Sequence, residues 1–237
     1  MPLMPRPQTM RFVGATSVLM AAWLHLNASA AAPVAGAADG PRHLIYVHGR
    51  IVQEEQNARP KHPQHGYYEL DAILDTFRKR GFVVHGGIRP KAATVSESAD
   101  QVVAEVRRLI ESGVPANRIV VVGASMGASI AFLASVRLQN PDLSFAVLGA
   151  CLSANVRQLV ADEGRGPGGR VLSIREASDG VEGSCPPWTA DSGKEWSVSG
   201  QEIVLETGLA HGFLYRPLPE WMNPLVEWAS LPNPGQR

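Results

Sequence analysis

The chain has 237 residues, with 22 basic and 22 acidic side chains and therefore no formal net charge at neutral pH. That length suits one ordinary globular domain with a sizeable core. The balanced charge argues against a nucleic acid or an anionic membrane as the main partner, because such partners select an excess of lysine and arginine. A small-molecule substrate, charged or neutral, remains compatible with this composition.

The N-terminus has the pattern of a secretory signal peptide. Arg6 and Arg11 give a positive start, an apolar run covers residues 12–26, and Ala28 and Ala30 form a small-residue cleavage pattern. We therefore predict export to the periplasm or the medium.

A membrane anchor is the alternative reading of this segment. The apolar run is shorter than the ~18 residues that a spanning helix needs, and His25 interrupts it. We predict cleavage, with a signal peptide over 1–30, a linker over 31–40, a single domain over 41–237 and no stable membrane insertion afterwards.

Short apolar runs alternate with helical patterns in the rest of the chain. The predicted strands cover 43–47, 82–84, 119–122, 145–148, 171–174 and 203–205. The predicted helices lie near 70–80, 98–112, 126–139, 156–160 and 220–229, and the polar segment 50–66 is predicted to be a loop.

The predicted helix near 98–112 has the clearest pattern. Ser98, with Gln101 three residues later, is a candidate capping box at its start. One face carries the apolar residues Val102, Val103, Val106, Leu109 and Ile110.

This alternation predicts an α/β fold, with a mostly parallel, doubly wound sheet and helices on both faces. In such sheets ligands bind beyond the carboxyl ends of the strands, so the loops that follow strands are the places to search for a site. Cys151 and Cys185 are both predicted to lie at this edge. Export would permit a disulfide between them, and two free thiols are the alternative.

The segment Gly123–Gly127 matches the pattern G-x-S-x-G, with Ser125 at its centre. It follows the β-branched run 119–122 and opens an apolar helix, which is the setting of a nucleophile elbow. A serine at such a turn projects its hydroxyl above the sheet, and the two glycines avoid clashes with neighbouring chain. The alternative is a tight turn with an ordinary hydroxyl.

From about residue 43 onwards the sequence resembles the α/β-hydrolase superfamily. Three segments carry the resemblance: 48–50, with the sequence His-Gly-Arg, the elbow 123–127, and a late acid and histidine. The family's order along the chain is nucleophile, acid, histidine. The resemblance implies a serine esterase or peptidase.

His211 lies just after the last predicted strand, where the family places its base. A neutral imidazole can take the serine proton and return it to the leaving group. The alternative is an incidental histidine in a loop.

Asp179 follows the predicted strand 171–174 and is our candidate for the acid that orients His211. Glu176 is the nearest rival, followed by Glu182 and Asp191. A solvated turn residue is the alternative for Asp179, because Asp-Gly pairs are common in turns.

The oxyanion hole needs two backbone N–H groups. Met126, which follows the nucleophile, should supply one, and by resemblance Arg50 should supply the other. The Arg50 side chain could also bind a substrate carboxylate or phosphate, or could simply be solvated. His48 is interpreted as a structural residue that orients this loop, and Tyr67 and Tyr68 as candidate walls of a substrate pocket.

Other motifs are interpreted as non-functional. His62 and His65 lack an accompanying set of metal ligands, so we predict solvated loop residues and no metal. The glycine-rich segment 164–169 precedes a strand, unlike a phosphate loop, and is predicted to be a flexible connection. The tryptophans near the C-terminus are assigned to packing.

The predicted reaction is hydrolysis of an ester through an acyl-enzyme, with no cofactor. A peptidase or thioesterase of the same fold is the alternative within enzymes. A binding protein that keeps the fold without turnover is the alternative outside them.

Overall fold

A computed structural model describes residues 40–150, 154–180 and 200–231, with the side chains of residues 154–156 left out. The predicted signal peptide, both cysteines, and the rival acids Glu182 and Asp191 lie outside the described residues. Export and the pairing of the cysteines therefore stay predictions.

Six parallel strands form the central sheet, in the order β4-β1-β5-β6-β7-β8. These strands are β1 (Arg42–Val47), β4 (Phe82–His85), β5 (Ile119–Ala124), β6 (Ser144–Leu148), β7 (Arg170–Glu176) and β8 (Gly200–Leu205). Every residue of β5 is buried, as expected for a central strand with both faces covered.

Helices cover both faces of this sheet. They are α1 (Arg50–Glu55), α2 (Leu70–Lys79), α3 (Val95–Glu111), α4 (Met126–Leu138), α5 (Ala154–Asp162) and α6 (Pro219–Ser230). One apolar core joins the sheet to α2 and α6, and a second joins it to α3 and α4. The predicted doubly wound α/β architecture is confirmed. Within the described ranges, no helix has the length and apolar character needed to cross a membrane.

The prediction of a plain loop over 50–66 was wrong. This segment forms α1 and a small antiparallel hairpin of β2 (Lys61–His62) and β3 (Gly66–Tyr67). Val52 on α1 is fully buried in the core, which holds the helix against the domain. The hairpin strands have two residues each, too few to produce a periodic sequence pattern.

The start of α3 was also predicted wrongly. Thr94 is the N-cap, and its side chain and that of Glu97 form the capping box. Ser98 is one turn inside the helix and only 1% exposed. At the other end, Ile110 was assigned to the buried face but is 36% exposed.

The glycine-rich segment before β7 is a packed connection, which corrects the prediction of a flexible one. Gly168 donates its N–H to the carbonyl of Ser135, and a Cβ on Gly168 would lie 2.6 Å from the Cα of Gln139. The glycines therefore permit close packing. The prediction for the C-terminal tryptophans is confirmed, because Trp221 and Trp228 are buried in the core.

Candidate active site

Ser125 occupies a strained turn between β5 and α4. Its backbone has φ 54° and ψ −122°, a conformation that costs a non-glycine residue about 1–3 kcal/mol. A Cβ on Gly127 would overlap the carbonyl of Val47, and a Cβ on Gly123 would overlap the backbone of Gly127. Both glycines are thus required because backbone passes close to them. This confirms the prediction that the glycines of the motif avoid clashes with neighbouring chain.

The structure brings three of the predicted site residues together. Ser125 Oγ lies 2.9 Å from Nε2 of His211, and Nδ1 of His211 lies 2.7 Å from Oδ2 of Asp179. His211 belongs to a short 3-10 helix, Ala210–Tyr215, which follows β8. Asp179 lies in the turn after β7, so all three side chains stand at the carboxyl edge of the sheet.

These contacts favour one tautomer of His211. The carboxylate of Asp179 can only accept a hydrogen bond, so Nδ1 of His211 carries the proton and donates it. Nε2 is then left with a free lone pair and accepts the hydrogen bond from the hydroxyl of Ser125. The side chains of His211 and Asp179 are 13% and 3% exposed, so water competes little for the bond between them. This arrangement can deprotonate Ser125 when the hydroxyl attacks an electrophile.

The rival carboxylate, Glu176, bonds to other groups. Its two oxygens accept hydrogen bonds from the backbone and side chains of Ser178 and Thr207 and from the backbone of Gly208. Burial alone would raise the pKa of Glu176, but the bonds from Thr207 and Ser178 outweigh it and lower the pKa to about 2.

The backbone around the predicted oxyanion donors converges on Ser125. A Cβ on Gly49 would lie 3.4 Å from the Cβ of Ser125, so the chain at Gly49 runs directly against the nucleophile. Arg50 and Met126 are the first residues of α1 and α4. N–H groups in the first turn of a helix have no partner within that helix and are free to bind an anion. The side chain of Arg50 is exposed.

His48 is fully buried beneath this loop. Its Nε2 accepts the N–H of Arg89 at 3.0 Å, so its Nδ1 carries the proton and donates to the carbonyl of Gly49 at 2.8 Å. Burial, and then the nearby guanidinium of Arg89, lower the pKa of His48 to about 4. The side chain therefore stays neutral at ordinary pH and ties the loop to the segment that follows the neighbouring strand, β4.

Arg89 and Gln53 support the same loop and were not identified from the sequence. The guanidinium of Arg89 donates to the carbonyl of His48 at 2.6 Å and to the side-chain oxygen of Gln53 at 3.0 Å. Gln53 in turn donates to the carbonyl of Ala93 at 2.8 Å. The only available signal was the position of Arg89 just beyond a predicted strand, at the edge where sites form.

The hairpin β2–β3 packs beside the candidate base. The rings of His62 and His65 stack 4.5 Å apart, and the ring of His65 lies 6.3 Å from that of His211 and 5.3 Å from that of Tyr215. Burial, followed by the charges of His62 and His211, lowers the pKa of His65. Both side chains are partly exposed, and their rings pack against each other beside the candidate base. Across the described parts of the chain, no group of three or more potential ligands is arranged to hold a metal.

The two candidate wall residues have different environments. Tyr67 is 42% exposed, and the guanidinium of Arg59 lies 4.0 Å from the centre of its ring. Tyr68 is only 2% exposed, and its hydroxyl bonds to that of Tyr46 at 2.8 Å. Tyr68 is a core residue, so the prediction that it lines a substrate pocket was wrong.

Comparison with known proteins gives a match to a family model over part of the chain, and a fold. Residues 60–151 match the family described as Lipase (class 3), a segment that includes Ser125 but neither Asp179 nor His211. Among curated proteins, no sequence matches the chain significantly.

Two solved structures illustrate the structural likeness. A putative dienelactone hydrolase from Klebsiella pneumoniae superposes with a TM-score of 0.53 at 14% identity, over 82% of this chain and 89% of that one. Est1E from Butyrivibrio proteoclasticus, described with bound ferulic acid, gives a TM-score of 0.48 at 15% identity, over 83% and 89% of the two chains.

The sheet order, the Ser125 elbow and the first of these superpositions show that the chain has the α/β-hydrolase fold. The chain thus shares the fold of the α/β-hydrolase superfamily. Together with the match to lipases, the fold supports a serine ester hydrolase.

Proposed function

We propose that this chain hydrolyses esters through a catalytic triad of Ser125, His211 and Asp179. The observation that carries the proposal is the continuous chain of hydrogen bonds from the Ser125 hydroxyl through His211 to Asp179. The order of these residues along the sequence, nucleophile then acid then histidine, is that of the α/β-hydrolases.

In the first half of the proposed reaction, Ser125 Oγ attacks the ester carbonyl while its proton passes to Nε2 of His211. The carboxylate of Asp179 stabilises the imidazolium that forms. The backbone N–H groups of Met126 and Arg50 stabilise the negative oxygen of the tetrahedral intermediate. When the intermediate collapses, His211 returns the proton to the departing alcohol, and the acyl group remains on Ser125.

In the second half, water takes the place of the alcohol. His211 removes a proton from the water as it attacks the acyl-enzyme, and then returns that proton to Ser125 as the acid product leaves. This chain supplies every group these steps require, so the proposal includes neither a metal nor a cofactor.

The proposed substrate is a small ester with a modest acyl group. The hairpin β2–β3 packs against the 3-10 helix that carries His211, and it is short. Among the residues that the structure describes, this short hairpin covers the side of His211, which supports a modest acyl group. An amide or thioester substrate is the alternative within the same chemistry.

We also propose that the protein acts outside the cytoplasm after cleavage of its N-terminal segment. The basic start, the short apolar run and the small residues at Ala28 and Ala30 support this proposal. Mass spectrometry of the protein purified from a secreting host should find a mature N-terminus at Ala31. An intact N-terminus on all of the protein would contradict export with cleavage.

A fluorophosphonate probe tests the proposed function, because it reacts only with an activated serine. We expect stoichiometric labelling of the wild type, none in Ser125→Ala, and full labelling in Ser129→Ala, which removes a hydroxyl one turn further along α4. Turnover of short-chain esters, aminoacyl amides and thioesters would then identify the substrate class. A folded wild type that neither labels nor turns over any of these would favour a binding protein.

A further inference from the structure

Glu176 is a buried carboxylate that the proposed chemistry does not use. It ends β7, is only 1% exposed, and accepts five hydrogen bonds from two separate loops. All five partners are N–H or O–H donors. Such a set favours the ionised form, because the O–H of a protonated acid would face donors and find no acceptor.

One side of this cluster holds the loop that carries Asp179. The Glu176 side chain accepts the Ser178 hydroxyl at 3.0 Å and the Ser178 N–H at 3.4 Å. The Glu176 carbonyl accepts the N–H of Asp179 at 3.1 Å. Glu176 thus fixes the turn from which the acid points toward His211.

The other side holds the loop that carries His211. Glu176 accepts the Thr207 hydroxyl at 2.7 Å, the Thr207 N–H at 2.9 Å and the Gly208 N–H at 3.2 Å. The contacts continue through Ser178, whose Oγ accepts the N–H of Ala210 at 3.2 Å. Ala210 directly precedes His211 and has a φ of 47°, which is unfavourable for alanine.

These contacts join the acid loop to the base loop through one side chain. We infer that Glu176 is a positioning residue, which holds Asp179 and His211 at hydrogen-bonding distance by binding both of their loops. This inference rests on the proposed function, since the positioned pair is the proposed acid and base. It also explains why a carboxylate so close to the site is not itself the acid, because both of its oxygens are already engaged.

A glutamine at this position tests the inference. Its NH2 group would face backbone and hydroxyl donors, so one loop would lose its acceptor. We expect Glu176→Gln to lower kcat by about 10²-fold with little change in KM, the effect expected when catalytic groups shift by about 1 Å. Glu176→Asp keeps the charge but has a side chain one methylene shorter. Its kcat should lie between those of the wild type and Glu176→Gln. Glu202→Gln, which removes a carboxylate from β8, should behave like the wild type.

Rates are measured per labelled site, with sites counted by exhaustive reaction with a fluorophosphonate. This separates positioning from folding. If Glu176 only stabilised the fold, Glu176→Gln would lower the melting temperature and the number of labelled sites but leave the turnover of each remaining site unchanged. That result would overturn the inference.

A second readout does not depend on activity. In proton NMR, the Nδ1–H of His211 should give a resolved downfield resonance in the wild type, because it is hydrogen-bonded to a buried carboxylate. We expect that resonance to be lost in Glu176→Gln and retained in Glu202→Gln. If the resonance is lost in Glu176→Gln and the wild type shows no esterase activity, the positioning role is upheld and the proposed function is refuted. Its persistence in Glu176→Gln would overturn the positioning role.

Discussion

Nε2 of His211 lies 2.9 Å from Oγ of Ser125, although 86 positions separate the two residues along the chain. The parallel sheet produces this contact, because the loops after β5 and β8 both emerge at its carboxyl edge. Asp179 joins them from the loop after β7. The chemical proposal depends on these three loops keeping their relative positions.

Replacing the proposed acid should remove most of the activity. In Asp179→Asn the amide can no longer hold the tautomer of His211 that leaves Nε2 free, and kcat should fall about 10⁴-fold. Steady-state ester hydrolysis measures the loss, and Asp162→Asn, at the exposed end of α5, serves as the control. A near-normal rate for Asp179→Asn would transfer the orienting role to another carboxylate.

The proposed oxyanion donor at Arg50 can be removed by substitution with proline. Arg50 is the first residue of α1, where proline is tolerated, and Gly49 before it has an extended ψ of 176° that a following proline accepts. Arg50→Pro therefore removes the N–H and should lower kcat about 10²–10³-fold.

Arg50→Ala is the matched control, since it keeps the N–H and removes the guanidinium. Comparable losses in Arg50→Pro and Arg50→Ala would show that the side chain, and not the backbone donor, contributes to the reaction. Circular dichroism should show that both variants are folded.

The elbow should not tolerate a methyl group at Gly127. A Cβ there would overlap the carbonyl of Val47 on the neighbouring strand, so the backbone of β1 or α4 must shift. We expect Gly127→Ala to lower the free energy of unfolding by about 3 kcal/mol, the upper part of the usual range for overpacking. Gly87→Ala, where nothing lies within 4 Å of the added Cβ, should change it by less than about 0.5 kcal/mol. Urea denaturation compares the two, and equal stabilities would refute the close contact.

The buried, neutral His48 should make the folded protein less stable in mild acid. Its pKa is about 4 in the folded protein, against 6.5 for a free histidine, so the unfolded chain gains a proton first as the pH falls. No effect is expected above pH 6.5. Between pH 6.5 and 4 the free energy of unfolding should fall by up to about 3 kcal/mol. Below pH 4, His48 is protonated in both states and causes no further change.

The measurement is urea denaturation of the wild type and His48→Gln at several pH values. The glutamine cannot titrate, so the variant should lose less stability than the wild type between pH 6.5 and 4.5. Parallel curves for the two proteins would show that His48 is not held neutral in the fold.

The sequence predicted the fold and the Ser125 elbow well because their signals are local. The β-branched run before Ser125 and the paired glycines both lie within a few residues of the serine. His211 was identified from chain order, since it follows the last strand. The elbow is thus recognised from adjacent residues, and His211 from its place in the order of strands and helices.

The residues that support the site were harder to identify from the sequence. Arg89 reaches the carbonyl of His48 across 41 positions, and that contact exists only once β1 and β4 are paired. Glu176 was considered only as a rival acid, because its binding of two loops depends on how β7 and β8 pair. The cap of α3 was misplaced by one turn for a similar reason. Two capping patterns follow one another there, Thr94 with Glu97 and Ser98 with Gln101, and the hydrogen bonds between Thr94 and Glu97 show that the first one caps the helix.

The acyl-enzyme on Ser125 is the most direct test of the account. The protein is mixed with excess p-nitrophenyl acetate, quenched with acid within the first turnover, digested and analysed by mass spectrometry. We predict one acetyl group per chain, on the peptide that contains Ser125, and none in Ser125→Ala. Hydrolysis that continues in Ser125→Ala, or an acetyl group on a different residue, would contradict the proposed mechanism.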